Sequence, residues 1–183
     1  MLKINDHVVF GATGVCKVVD IIRENFGGNT EREYYVLSPV YANSSTIYVP
    51  TDNENVVMRK MMTREEIKDL IKAMPGIESE WISEDQSRKA QFNDILQSGD
   101  PWQVAHLIKM IYERKVELEN IGKRLSHSDT ETLKAAEKLL HNEFALALHI
   151  EPDQVVPFIL GKIDSNQIIH DEPLSQSGEE PET

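Results

Sequence analysis

The chain changes grammar near residue 62, and that change limits what it can fold into. Between residues 4 and 59 the apolar side chains come in short runs rich in Val, Ile, Tyr and Phe, bounded by Gly, Pro or Asn. Such runs read as strands separated by turns. Beyond them Leu, Ile, Ala, Glu and Lys dominate, at the three- and four-residue spacing of helices. The two patterns do not alternate, which argues against a parallel sheet built from βαβ units. The expectation is an α+β protein of two domains. A small β-module covers 1–62, a helical module 63–161, and a disordered acidic tail 162–183.

Within the first module, His7-Val8-Val9-Phe10 is a short strand and Gly11-Ala12-Thr13-Gly14 a turn, since two glycines tolerate positive φ. A mostly β-branched strand over 15–22 follows, interrupted by Lys17 and Asp20. Gly27-Gly28-Asn29 is a hairpin signal, Tyr34-Tyr35-Val36-Leu37 a third strand, and Asn43-Ser44-Ser45 another turn. Thr46-Ile47-Tyr48-Val49-Pro50 is the last long strand. Strands this short suggest a half-open antiparallel barrel, whose remaining edge is either protected or used. The stretch from Thr46 to Pro50 is therefore either an internal pairing or an edge that accepts a strand from another protein. On it Thr46, Tyr48 and Pro50 share one face, and Ile47 and Val49 the other. The second pair is expected in the core.

Capping signals divide the helical module. Thr63-Arg64-Glu65-Glu66 and Ser83-Glu84-Asp85-Gln86 are capping-box patterns, and Asp100-Pro101-Trp102-Gln103 places a cap before a proline at the first helical position. Gly76, Gly99 and Gly122 stop helices, Ser126 or Ser128 opens the longest one, and Pro152 opens a last short one. Trp81 lies in a polar linker, as an anchor on the helical core or as a contact for a partner. Trp102, in a first helical turn, reads as a core anchor.

Charge and chemistry narrow the function. The net charge of −12 is uneven: 6 basic and 7 acidic groups in 1–62, 12 and 18 in 63–161, 1 and 6 in 162–183. An acidic helical module speaks against strong autonomous nucleic-acid binding, which needs cations to displace counterions. Cys16 is the only cysteine, so no internal disulfide forms. No apolar leader or membrane-length run is present, and a soluble cytoplasmic protein is expected. No catalytic or metal-binding constellation stands out, and no cofactor is expected. His141-Asn142-Glu143 has no following Cys-x-x-Cys and reads as a helix-surface His beside a Glu. A small hydrolase or metal enzyme is thereby disfavoured.

Several ordered strings resemble the CarD/CdnL family of bacterial transcription regulators. Asp6-His7-Val8-Val9-Phe10, Gly14-Val15, Tyr34-Tyr35-Val36-Leu37, Val49-Pro50 and Arg59 follow that family's polymerase-interacting module, which the transcription-repair coupling factor shares. Ser98-Gly99-Asp100, Val104-Ala105, Leu125-Ser126, Leu133, Ala136, Leu139-Leu140 and Glu143-Phe144-Ala145-Leu146-Ala147 follow its helical module. The resemblance covers about residues 2–150 and rests on order and spacing together.

The resemblance implies an SH3/Tudor-like N-terminal barrel and an all-α C-terminal domain. It implies that Thr46, Ile47, Tyr48, Val49 and Pro50 add to a strand of the RNA polymerase β-subunit lobe, with Tyr48 meeting the partner. It also implies that the helical module contacts promoter DNA at the upstream edge of the melted bubble. There Trp81 would wedge beside a base step, and Arg88, Lys89, Lys109 and Arg114 would contact phosphates. Such a protein modulates open-complex stability without being an enzyme. The chain departs from the family in three respects. The spacing from Trp81 to Ser98-Gly99-Asp100 is about a helical turn longer. Ser83-Glu84-Asp85 is an acidic insertion, and Tyr48, Glu113, Thr130 and Glu131 stand where basic residues are common. A weak DNA grip follows, sufficient only when polymerase tethers the protein at the promoter. The alternative is a polymerase-binding adaptor whose acidic helical domain recruits another protein without touching DNA.

Overall fold

The computed structural model describes residues 2–26, 30–42, 46–52 and 57–170, with side chains to Asp164. The expected turns at Gly27-Gly28-Asn29 and Asn43-Ser44-Ser45 and the end of the tail, 171–183, lie outside the described residues. Five strands come first: β1 His7–Phe10, β2 Gly14–Glu24, β3 Arg32–Pro39, β4 Ile47–Pro50 and β5 Met58–Lys60. Five helices follow: α1 Arg64–Ala73, α2 Asp85–Ser98, α3 Pro101–Asn120, α4 His127–Leu148 and α5 Val155–His170. Helix α5 continues beyond residue 162, the expected start of the tail. β5 has no signal of its own in the sequence, being three residues long with two of them charged.

All strand pairs are antiparallel, in the order β4-β3-β2-β1-β5. Among the described residues the sheet does not close, and β4 and β5 are its margins. The interruption of β2 has a geometric cause. The register with β3 shifts between Val18 and Asp20, leaving Val19 as an exposed bulge residue. Strict alternation after Cys16 and Val18 would point Asp20 into the core. One extra residue turns Asp20 outward and brings Ile21 inward, opposite Tyr35. Cys16, Val18, Tyr35, Leu37, Val49 and Val8 form the buried face.

The other face of the β1, β2 and β5 end packs on the helices. Val9 pairs with Val15 on one side and Arg59 on the other, so these three point the same way. Backbone approaches closely here. Gly14 has φ +83°, and a Cβ on it would lie 3.3 Å from Leu139 Cδ2. Gly99, at φ +60°, ends α2, and a Cβ on it would lie 3.2 Å from the Gly11 carbonyl oxygen. Both positions need glycine for conformation and for space.

Arg59 crosses this seam. Its Nη1 and Nη2 donate to the two carboxylate oxygens of Glu143 at 2.7 and 2.6 Å. Its Nε donates to the Gly99 carbonyl at 2.8 Å, and Nη1 also donates to the Lys60 carbonyl. The Met62 backbone N–H donates to Glu143 Oε1 at 2.8 Å. Glu143 is only 2% exposed, so the Glu two residues after His141 is a buried carboxylate. The helical core behind it contains Ile67, Leu70, Ile71, Phe92, Leu107, Ile111 and Phe144. The caps at Thr63, Asp100 and Ser126 form as expected. That of α2 shifts by one residue, to Glu84, whose carboxylate accepts from the Gln86 and Ser87 N–H groups.

Removing the guanidinium would strand the Glu143 charge in the seam. Arg59→Ala is expected to lower unfolding stability by about 3–5 kcal/mol, the usual cost of breaking a buried pair from one side. Arg59→Lys should recover little, because an ammonium cannot make the bidentate pair and reach Gly99 together. Urea denaturation at neutral pH measures both. A loss below about 1 kcal/mol, typical of an exposed pair, would show that the seam does not depend on this contact.

Candidate interaction surfaces

Strand β4 carries the first surface. Among the described residues it is hydrogen-bonded to β3 alone, with Tyr35 opposite Val49 and Val36 opposite Tyr48. The Thr51 N–H donates to the Glu33 carbonyl at 2.9 Å, which fixes the alternation of the ladder. Thr51, Val49 and Ile47 direct their peptide groups to β3, so the N–H and C=O of Tyr48 and the C=O of Pro50 face outward. Pro50 carries no N–H, and it occupies an outward position where none is consumed by the sheet. Val49 is 3% exposed and Ile47 packs on the sheet core, whereas Tyr48 is 48% exposed. Thr46 precedes the strand and is exposed.

Tyr48 has aromatic company that the sequence did not announce. The Phe26 ring lies 5.0 Å from that of Tyr34 and 5.1 Å from that of Tyr48, centroid to centroid. Phe26 follows the end of β2, where no periodicity marks it. Val36, the cross-strand neighbour of Tyr48 on this face, is buried.

Trp81 marks the second surface. It is partly buried against the helical core, with its ring edge-on to Phe92 at 6.1 Å. The guanidinium carbons of Arg88 and Arg114 lie 4.8 and 5.6 Å from its centre. The cations around it are engaged within the chain. Arg88 is 6% exposed and donates to Asp129 at 3.1 Å, to Asp85 at 2.5 Å and to the Ile82 carbonyl at 3.1 Å. Lys109 Nζ donates to the Met74, Pro75 and Ile77 carbonyls at the end of α1. Arg114 pairs with Glu117, and exposed Lys89 with Asp85. The hydrogen bond from Lys89, with the Lys89 and Arg88 charges, holds the Asp85 carboxyl below the usual carboxylate range. Trp102, expected in the core, is 46% exposed, and its neighbours Pro101 and Val104 are buried instead.

Chemistry at either surface is limited. Among the described residues no group of three His, Cys, Asp or Glu side chains is placed to hold a metal ion. Burial pushes the Cys16 thiol up to about 11, so it remains protonated and unreactive at neutral pH. Among the same residues, no helix is long and apolar enough to cross a membrane. The two surfaces are a peptide edge with an aromatic flank on one module, and a ring held among guanidinium groups on the other.

A family model described as the CarD-like/TRCF RID domain matches residues 2–62, and one described as the CarD C-terminal domain matches residues 69–159. A search of curated proteins finds no match to the chain. The two models meet across the seam that Arg59 closes and together span most of the sequence, so the chain belongs to the CarD-like family of transcription-related, RNA polymerase-interacting proteins.

Proposed function

We propose that the protein binds the RNA polymerase β-subunit lobe by strand addition at β4, and from there contacts promoter DNA at the upstream edge of the open bubble. The observation that carries this reading is the half-paired β4. Its outward N–H and C=O groups at Tyr48 are a template for one more antiparallel strand, and its inward side chains already belong to the core. The N-terminal module has the Tudor-like role in this arrangement although its sheet is open. Pro50 limits the added ladder to a short segment, so side chains at Thr46 and Tyr48 supply the selectivity.

Trp81 supplies the DNA contact in this reading. A ring already fixed by Phe92 and two guanidinium groups loses little freedom on meeting a base step. The protein acts without catalysis, by changing how long the bubble stays open. A second reading, a polymerase-bound adaptor with no DNA contact, is favoured by the internal pairing of Arg88, Lys89, Lys109 and Arg114. Footprinting of polymerase on a promoter with and without the protein separates the two: the adaptor leaves the upstream bubble edge unchanged.

Tyr48→Glu is expected to weaken binding to the isolated β lobe by about tenfold or more, since it puts a charge at the centre of the contact. Unchanged retention in a pull-down would remove β4 as the docking edge. Trp81→Ala should shorten the open-complex lifetime supported by the protein while leaving lobe binding intact; equal lifetimes would exclude the wedge. Arg88→Ala acts differently, because its guanidinium is structural. It should lower unfolding stability by about 3–5 kcal/mol, and a fully stable variant would mean that Arg88 is not buried as described.

A further inference from the structure

One cleft on the helical module runs against the charge of the rest. It lies between the C-terminal half of α3 and the start of α4, with a volume of about 680 Å³. Lys115, Lys123, Arg124 and Lys134 line it with Glu119 and Glu137, four positive groups to two negative. Residues 63–161 as a whole carry 12 basic and 18 acidic groups, so the local balance is opposite in sign. Lys123 and Arg124 are exposed, and neither makes an ion pair among the described residues. Lys134 pairs with Glu131, but both are solvated, so the pair is readily exchanged. Buried Leu133 and partly buried Leu125 add apolar surface to the lining.

The chain carries a segment of matching chemistry. Residues 171–183, outside the described residues, hold Asp171, Glu172, Glu179, Glu180 and Glu182 and no basic residue. Between the two acidic groups stands Pro173-Leu174. We propose that this acidic segment docks in the α3–α4 cleft of its own chain, its carboxylates meeting Lys115, Lys123, Arg124 and Lys134, and Pro173-Leu174 covering Leu125 and Leu133. The proposal goes beyond the polymerase reading and does not depend on it.

Reach and energetics both allow the contact. Helix α5 packs against α1 and α4, and its Ile163 lies on the helical core. His170 is about 10 Å further along that helix, and the 22 residues of α4 extend about 33 Å. The 13 residues after His170 span up to about 45 Å when extended, more than the length of α4. Each exposed ion pair is weak alone. Tethering compensates, since a short flexible connection supplies an effective concentration of about millimolar, and a contact of millimolar affinity is then about half occupied. Pro173 and Pro181 fix their own φ, which reduces the freedom lost on docking. An outside acidic partner would reach the cleft only by displacing this segment.

The test uses the full chain carrying Ser177→Cys with a nitroxide on the new thiol. Cys16 is fully buried, so the label enters at position 177 alone. Backbone amide signals of Lys123, Arg124 and Thr130 are expected to lose about half or more of their intensity relative to the reduced label, as an occupancy near one half requires. Signals from the sheet should be unaffected, and about 1 M NaCl, which screens charges beyond about 3 Å, should restore the lost ones. Lys123→Glu with Arg124→Glu, both on an exposed turn, should abolish the effect without lowering the thermal melt. Adding Glu179→Lys and Glu180→Lys to that pair should bring it back. Broadening that is absent, that is spread over the whole surface, that survives the cleft reversal or that is not recovered by the charge swap overturns the proposal. Broadening in an isotope-labelled chain without nitroxide, mixed with a nitroxide-bearing chain, assigns the segment to the cleft of a second copy and equally overturns it. No polymerase is present in the experiment, so its failure leaves the proposed function standing.

Discussion

The contact between Arg59 and Glu143 decides whether this chain is two modules or one structure. Each module could bury a core of its own, and the sheet and the helices do so. Where they meet, glycines approach closely, Val9 shares a small cavity with Leu139 and Leu140 of α4, Tyr41 packs on the helical core, and one guanidinium reaches across. A buried carboxylate is tolerable only with its lone pairs occupied. Glu143 receives two bonds from Arg59 and one from the Met62 backbone. Arg59 in turn holds the Gly99 carbonyl at the end of α2. The pair therefore ties β5, the start of the α1 connection, the α2 terminus and α4 to a single point.

That point lies at the far end of the sheet from β4. The order β4-β3-β2-β1-β5 puts the Arg59 seam at the β5 margin. The bulge at Val19 helps separate the roles. By re-aiming the second half of β2 it lets one strand serve the sheet core while Asp20 turns to the solvated face. The placement of the helical module is set by the seam at the β5 margin.

Much of the layout was legible in the sequence because it depends on local rules. The caps at Thr63, Asp100 and Ser126, the stops at Gly99 and Gly122, and the inward Ile47 and Val49 follow from side-chain chemistry within a few residues. What escaped depends on distant partners. Glu143 sits in an ordinary helical stretch, and only Arg59, far away in sequence, makes it a buried ion. β5 is a strand through its pairing with β1, although only Met58 of its three residues is apolar. Phe26 lies outside any strand and gains meaning only from Tyr34 and Tyr48 across the sheet. The two tryptophans make the same point: Trp81 in a polar linker is anchored, while Trp102 in a regular helix is not.

The same distinction governs the charges. Sequence position singles out Arg88 and Lys89 by nearness to Trp81, and Lys109 and Arg114 by their match to basic places in the family. Folding adds a second criterion, whether each cation is already satisfied. Arg88 is occupied by Asp129, Asp85 and a carbonyl, and Lys109 by three carbonyls, so displacing either toward a phosphate would leave buried or capping groups unpaired. Lys123 and Arg124 face no such cost, because among the described residues solvent is their partner. In this acidic module Lys123 and Arg124 stay solvated on the turn that Gly122, at φ +70°, makes possible.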